Sequence, residues 1–290
     1  MYTSASSMMD ACKEQNKKIY ELQLQEEMEA EELSKEDVYE YLRKTYEIMK
    51  KSATAGLETP IMSMSGMTGK NAFKVNEYAE SGNSVSGSLI NKAMARALST
   101  SEINASMGRI VAAPTAGASG ILPATLVTMQ EEFNHTDDEI FNALLTASAV
   151  GEIIAVNATI SGAEGGCQAE CGAAAAMAAA AIVELKGGSI EQIFTSASFA
   201  LKNIMGLICD PVCGLVEYPC NLRNASGVVN AIISADLALA GVEALIPFDE
   251  TVGAMGNVGK ELPVALKETA IGGIAGTETA QRLYEEFLDK

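Results

Sequence analysis

Five cysteines gather in one stretch of the chain: Cys167 and Cys171 in SGAEGGCQAECG, and Cys209, Cys213 and Cys220 in ICDPVCGLVEYPCNLRN. Each stands at a Gly- or Pro-marked turn beside an apolar, helix-like segment, where a buried thiolate-ligated metal centre would take its donors. The pairs Cys167/Cys171 and Cys209/Cys213 have C-x(3)-C spacing and suit a structural zinc with four thiolate ligands. That scheme leaves Cys220 unused. An iron–sulfur cluster held by three thiolates, with one iron open, uses Cys220 and discards one member of each pair. The plain alternative is that the thiols are small buried hydrophobes. Spacing alone does not choose among these.

Other residues with chemical potential are few. His135, the only histidine, lies in the polar turn FNHTDDE, where decoration of a helix start is the ordinary role. In PTAGASGILPATL, Thr115 and Ser119 sit on a Gly-rich turn leading into a helix near Leu122, with Pro123 in its first turn. A helix start of this kind offers free N–H groups and a positive dipole end to an anion, or is simply capped. Ser65 and Thr68 belong to SGMTGKN, which lacks the G-x-x-x-x-G-K-[ST] spacing of a phosphate loop. Its hydroxyls and backbone amides can still cradle a small carboxylate. No lysine stands in a recognisable Schiff-base setting for pyridoxal phosphate.

Positioning these groups calls for helices. Small residues abound, aromatics make up 5% of the chain, and no stretch alternates at period two long enough for a sheet. The expectation is an all-α fold, mainly one multi-helix catalytic domain with small-residue core helices. Residues 1–58 read as an acidic helical N-terminal extension, with Ser34 and Asp37 capping a helix, and residues 59–290 as the catalytic domain. Further helices are expected over 88–99, 138–150, 171–185, 225–240 and 277–289. The runs 143–160 and 171–185 are apolar, but Glu152 interrupts the first and the second is a short alanine tract, so both read as core helices, with no membrane span. A net charge of −18 argues against nucleic acid. No signal peptide is visible at the N-terminus, so a cytoplasmic location is expected, where cysteines serve metals or packing in preference to disulfides.

The sequence resembles the α chain of the iron–sulfur-dependent L-serine dehydratases. The likeness runs through NASMGRIVAAPTAGASGILPATL, SGAEGGCQAECGAAAAMAAAAIVEL, CDPVCGLVEYPCNLRNASGVVNAI and VGKELPVALKETAIGGIAGT, and so covers most of the chain from about Ser65 onward. It implies a [4Fe-4S] cluster on Cys167, Cys209 and Cys220, with Cys171 and Cys213 as non-ligands. It implies L-serine as substrate, conversion to pyruvate and ammonia with an open iron as Lewis acid for the hydroxyl, and a separate β chain as partner. Ser65, Thr68, Thr115 and Ser119 become the substrate-side candidates, and no catalytic base is assigned. Lys70 takes the place of a glycine common in the family's SG-L-TGG pattern. Single-chain relatives can place a C-terminal cysteine in the active site, whereas this chain closes on EEFLDK. The related alternative is a desulfidase or dehydratase acting on cysteine or another small amino acid. The alternative of another class is a zinc-stabilised scaffold or regulatory subunit.

Overall fold

Residues 173–183, almost all alanine, are buried without a break, which no amphipathic surface helix would be. In the computed structural model, which describes residues 2–288, this segment is the axis around which the other helices pack. In chain order the helices are α1 (Ala5–Gln15), α2 (Ile19–Ala30), α3 (Lys35–Glu58), α4 (Asn71–Glu80), α5 (Gly87–Ala105), α6 (Ile121–Phe133) and α7 (Asp137–Asn157). They continue as α8 (Gly162–Gly165), α9 (Ala173–Leu185), α10 (Ile190–Asn203), α11 (Cys220–Leu239), α12 (Phe248–Glu261) and α13 (Glu278–Leu288). A π-helical turn, Gln168–Gly172, leads directly into α9. The described residues contain no strand, only two isolated bridges, so the architecture is all-α.

Four helices enclose α9: α6, α7, α10 and α11. Its methyl side chains let them approach to about 8 Å between axes, the near limit for helix pairs. Gly227 on α11 shows the same economy of space, since a Cβ there would run into the Ile121 side chain of α6. Residues of the acidic N-terminal helices share this core. Met8, Ile19, Leu22, Tyr46 and Met49 are buried in one apolar cluster with Phe141, Val150 and the alanines of α9. Two helices, α7 and the segment Gln168–Leu185, are long and apolar enough to cross a membrane, but 67% and 83% of their apolar windows are buried inside the fold.

Capping residues set the boundaries. Ser34 and Asp37 form a reciprocal capping box on α3, as do Thr136 and Glu139 on α7. One difference from the sequence reading is at α11, which begins at Cys220 and not near Ala225. Its first turn carries Asn221 and Asn224, whose polarity suggests a loop. Both are buried, and the Asn224 amide is fully engaged by backbone groups.

Candidate metal centre

Three connections bring the cysteine turns together. Cys167 opens the π turn, and the following Gln168 ties that turn to the segment before Cys209. Its N–H donates to Leu207 O at 3.0 Å, and its side-chain oxygen accepts from Gly206 N–H at 2.8 Å. Cys209 is pinned from the other side. Its N–H donates to Leu266 O at 2.9 Å, and its carbonyl accepts from Glu268 N–H at 2.7 Å. Cys220, the first residue of α11, is held to the 114–120 turn by Asn224. The Asn224 amide donates to Cys220 O at 2.8 Å and to Gly117 O at 2.7 Å, while its oxygen accepts from Gly120 N–H at 2.8 Å. The helix start singled out as an anion site is thus capped internally by α11.

At the meeting point Cys167, Cys171, Cys209 and Cys220 are all buried. Cys167 Sγ lies 3.4 Å from Cys171 Sγ, and Cys209 Sγ lies 3.9 Å from Glu170 Oε2. Hydrogen bonding from the thiols of Cys171 and then Cys209, with the Arg223 guanidinium beside it, holds Cys167 well below the ordinary thiol range. The same pairing, ahead of burial, pushes Cys171 and Cys209 well up. Burial first, then the Cys167 charge, pushes Cys220 up to about 12.

Glu170 is the acid of this centre, and the sequence reading did not single it out. Its Oε1 accepts from Thr115 Oγ1 at 2.6 Å, and burial raises its carboxyl to about 7. Backbone closes on it from two sides, since a Cβ at Gly117 would sit 2.9 Å from Oε1 and one at Gly162 2.5 Å from Oε2. Gly162 would also press on Cys209 Sγ, at 3.1 Å. Gly117 of PTAGASG and Gly162 of SGAEGG are explained by this close approach. A π turn is one residue wider than an α turn, and it is what aims Glu170 inward beside Cys171.

Of the substrate-side candidates, Thr115 reaches the centre through Glu170. Ser119 is fully buried, and its hydroxyl donates to Ala116 O at 2.8 Å, bracing the turn from within. Ser65 and Thr68 lie together on the 60–70 loop, where both donate to the buried Glu217, Ser65 Oγ at 2.8 and 2.9 Å and Thr68 Oγ1 at 3.3 Å. The hydroxyl-rich loop does cradle a carboxylate, one supplied by the chain itself three residues before Cys220. Lys70 has φ 62°, a left-handed conformation that favours glycine, which gives a physical reason for glycine at that position. Cys213 is partly exposed and lines a cleft of about 310 Å³ with Thr269, Gln281 and Tyr284, apart from the other thiols. His135 stands beyond the far end of α6 from the 114–120 turn, about 20 Å along the helix. Its Nδ1 is 3.6 Å from a Glu139 carboxylate oxygen.

Among the described residues no three His, Cys, Asp or Glu side chains already surround one ion-sized point. The donor set nevertheless suits a thiolate-held cluster: soft sulfur atoms from separate turns, a buried guanidinium alongside, and no disulfide. A four-thiolate zinc on both C-x(3)-C pairs does not suit it, because Cys213 faces away.

A family model described as serine dehydratase alpha chain matches residues 14–275. The chain is 51% identical over 288 residues to the "L-serine dehydratase, alpha chain" of Peptoniphilus asaccharolyticus, covering 99% of both chains. It is 45% identical over 288 residues to the "Probable L-serine dehydratase, alpha chain" of Bacillus subtilis (strain 168), covering 99% of this chain and 96% of that one. The "L-serine dehydratase 1" of Escherichia coli (strain K12) is 34% identical over 280 residues, which take in 94% of this chain but only 61% of the longer relative.

Proposed function

The chain belongs to the serine dehydratase alpha chain family, and from that premise we propose that it is the α subunit of a lyase that converts L-serine to pyruvate and ammonia. The observation that carries the reading is the convergence of Cys167, Cys209 and Cys220, from three separate turns, on one buried centre beside the Arg223 guanidinium. These three cysteines are the proposed ligands of a [4Fe-4S] cluster. When bound, the cluster supplies a Lewis-acidic iron that draws electron density from the substrate hydroxyl as the C–O bond breaks.

The chain's own residues provide the setting. Thr115 and Glu170 form the polar wall beside the thiols, and Ser119 fixes the turn that carries Thr115. Ser65 and Thr68 act through Glu217, anchoring the loop that delivers Cys220. Burial excludes water from the elimination, so charge developing on the substrate meets fixed dipoles in place of mobile solvent. Loss of water from L-serine gives 2-aminoacrylate. Its imine tautomer then takes up water and releases ammonia, leaving pyruvate.

A separate β chain is the proposed partner, consistent with relatives named as alpha chains and with the longer E. coli relative, whose extra length this chain does not match. The proposed location is the cytoplasm, where thiols stay reduced. Anaerobic reconstitution with iron and sulfide, followed by a pyruvate assay on L-serine with and without the β chain, tests the function. Brown colour and pyruvate are expected. Replacing Cys167, Cys209 or Cys220 by serine should abolish the colour, whereas Cys171→Ser and Cys213→Ser should keep it. A colourless protein with stoichiometric zinc would overturn the cluster, and loss of colour in Cys171→Ser would overturn the ligand set.

A further inference from the structure

Among the described residues five buried side-chain atoms have no hydrogen-bond partner, and one of them is cationic and stands at the cysteine centre: Arg223 Nη1. Orphaned donors of this kind are rare in folded proteins and call for an explanation. Arg223 lies one turn after Cys220 on the same face of α11, with its side chain only 12% exposed. Its other nitrogen, Nη2, donates to Asp210 Oδ1 at 2.6 Å. Asp210, itself 1% exposed, is not free to take both edges of the guanidinium, because its second oxygen accepts from Ile274 N–H at 2.6 Å. That loop backbone can come so close only because Gly273 has φ 61° and no Cβ to strike Asp210. Asp210 therefore orients Arg223 from one side, the Cys167 sulfur lies beside the guanidinium, and Nη1 is left without a partner.

A planar guanidinium with one edge anchored and one edge unpaired is a receptor for a carboxylate. The other places that could hold an anion are already filled from within. Ser65 and Thr68 hold Glu217, Thr115 holds Glu170, and the α6 start is capped by Asn224. We propose that Arg223, oriented by Asp210, binds the α-carboxylate of the amino-acid substrate and so sets the α-amino-acid specificity of the centre. This rests on the reading above that the substrate is L-serine. Beside it the competing role for Arg223 is simple charge balance for the thiolates, and the two differ in what they discriminate.

The test compares wild type with Arg223→Gln and Arg223→Lys, each reconstituted anaerobically in complex with the β chain. Iron and sulfide content, visible absorbance and calorimetric binding of L-serine and of L-serinamide, which lacks the carboxylate, are measured. The expected result is unchanged cluster content, a roughly thirtyfold or greater weakening of L-serine binding in Arg223→Gln from loss of a buried charged hydrogen bond, and L-serinamide binding equal to wild type. Arg223→Lys keeps the charge but not the fork, and should fall between. It decides the matter should the glutamine variant not fold. Equal weakening of both ligands, loss of the cluster in both variants, or unaltered L-serine binding overturns the assignment. A wild-type complex that makes no pyruvate from L-serine overturns the proposed function instead, so the two failures are distinguishable.

Discussion

Replacing Asn224 by alanine should loosen Cys220 and the 114–120 turn together. The side chain is 1% exposed and makes three hydrogen bonds of 2.7–2.8 Å, to Gly117 O, Cys220 O and Gly120 N–H. Alanine removes all three and leaves the Gly120 N–H buried without this acceptor. Net losses of about 1 kcal/mol per bond, with the added penalty for a buried orphan, come to roughly 4–6 kcal/mol. For a chain of 290 residues that lowers the melting temperature by roughly 7–10 °C. Far-UV circular dichroism melts of the cluster-free chain measure it, and the rate of iron loss to a chelator after reconstitution reads out the loosened Cys220. Ser226→Ala, an exposed position on the same helix whose hydroxyl donates only to Arg223 O at 3.2 Å, is the control and should stay within about 0.5 kcal/mol of wild type. Asn224→Asp keeps the acceptor but turns a carboxylate oxygen on two carbonyls, and should be no better than alanine. If Asn224→Ala melts with the control and holds iron as wild type does, then Asn224 does not couple Cys220 to the turn.

Further consequences can be checked by the same methods. Gly162→Ala would place a methyl 2.5 Å from Glu170 Oε2 and 3.1 Å from Cys209 Sγ. It should cost about 1–3 kcal/mol by overpacking and reduce iron uptake, as urea unfolding and iron analysis would show. Lys70→Gly relieves a left-handed residue and should stabilise the fold by about 1 kcal/mol, seen as a higher urea midpoint with unchanged slope. Glu102, whose Oε1 accepts from the first N–H of α4 at 2.6 Å, is raised above its ordinary 4.5 chiefly by burial. A folded carboxyl with a raised pKa binds its proton before the unfolded chain does. Stability relative to Glu102→Gln should therefore rise as pH falls through the folded value toward 4.5, and level off below it. Urea titrations of both proteins between pH 7 and pH 4 test the sign.

Much of the scaffold is legible in the sequence because local rules agree with it. The S-x-x-D and T-x-x-E boxes start α3 and α7, and the alanine tract can only be an interior helix. Gly and Pro turns mark all five clustered cysteines as candidate donors, and only the family resemblance separates Cys167, Cys209 and Cys220 from Cys171 and Cys213. What stays hidden depends on contacts distant in sequence. Glu170 looks like one more acid before alanines until the π turn faces it toward Thr115, 55 residues away. Asn224 and Arg223 read as polar loop residues ahead of a helix near Ala225, and only the fold brings Gly117 and Asp210 against them. The Ser65 and Thr68 loop shows the opposite outcome. Its composition correctly suggests carboxylate binding, but no periodicity tells that Glu217 is the carboxylate held.

The short bridge between Cys209 and the 266–268 strand of loop has a consequence for local stability around the centre. On the inner side stand α9 and its four neighbours, whose amide protons should exchange only when the whole chain unfolds. On the outer side the segment 262–276 is exposed or half-buried at every residue but Ala275 and is fastened at this point by three backbone groups, Leu266 O, Glu268 N–H and Ile274 N–H, to Cys209 and Asp210. The two walls belong to different tiers of local stability. Deuterium exchange at Glu268 and Ile274 should therefore outpace exchange at the amides of α9, and equal rates would refute a loop less stable than the helices.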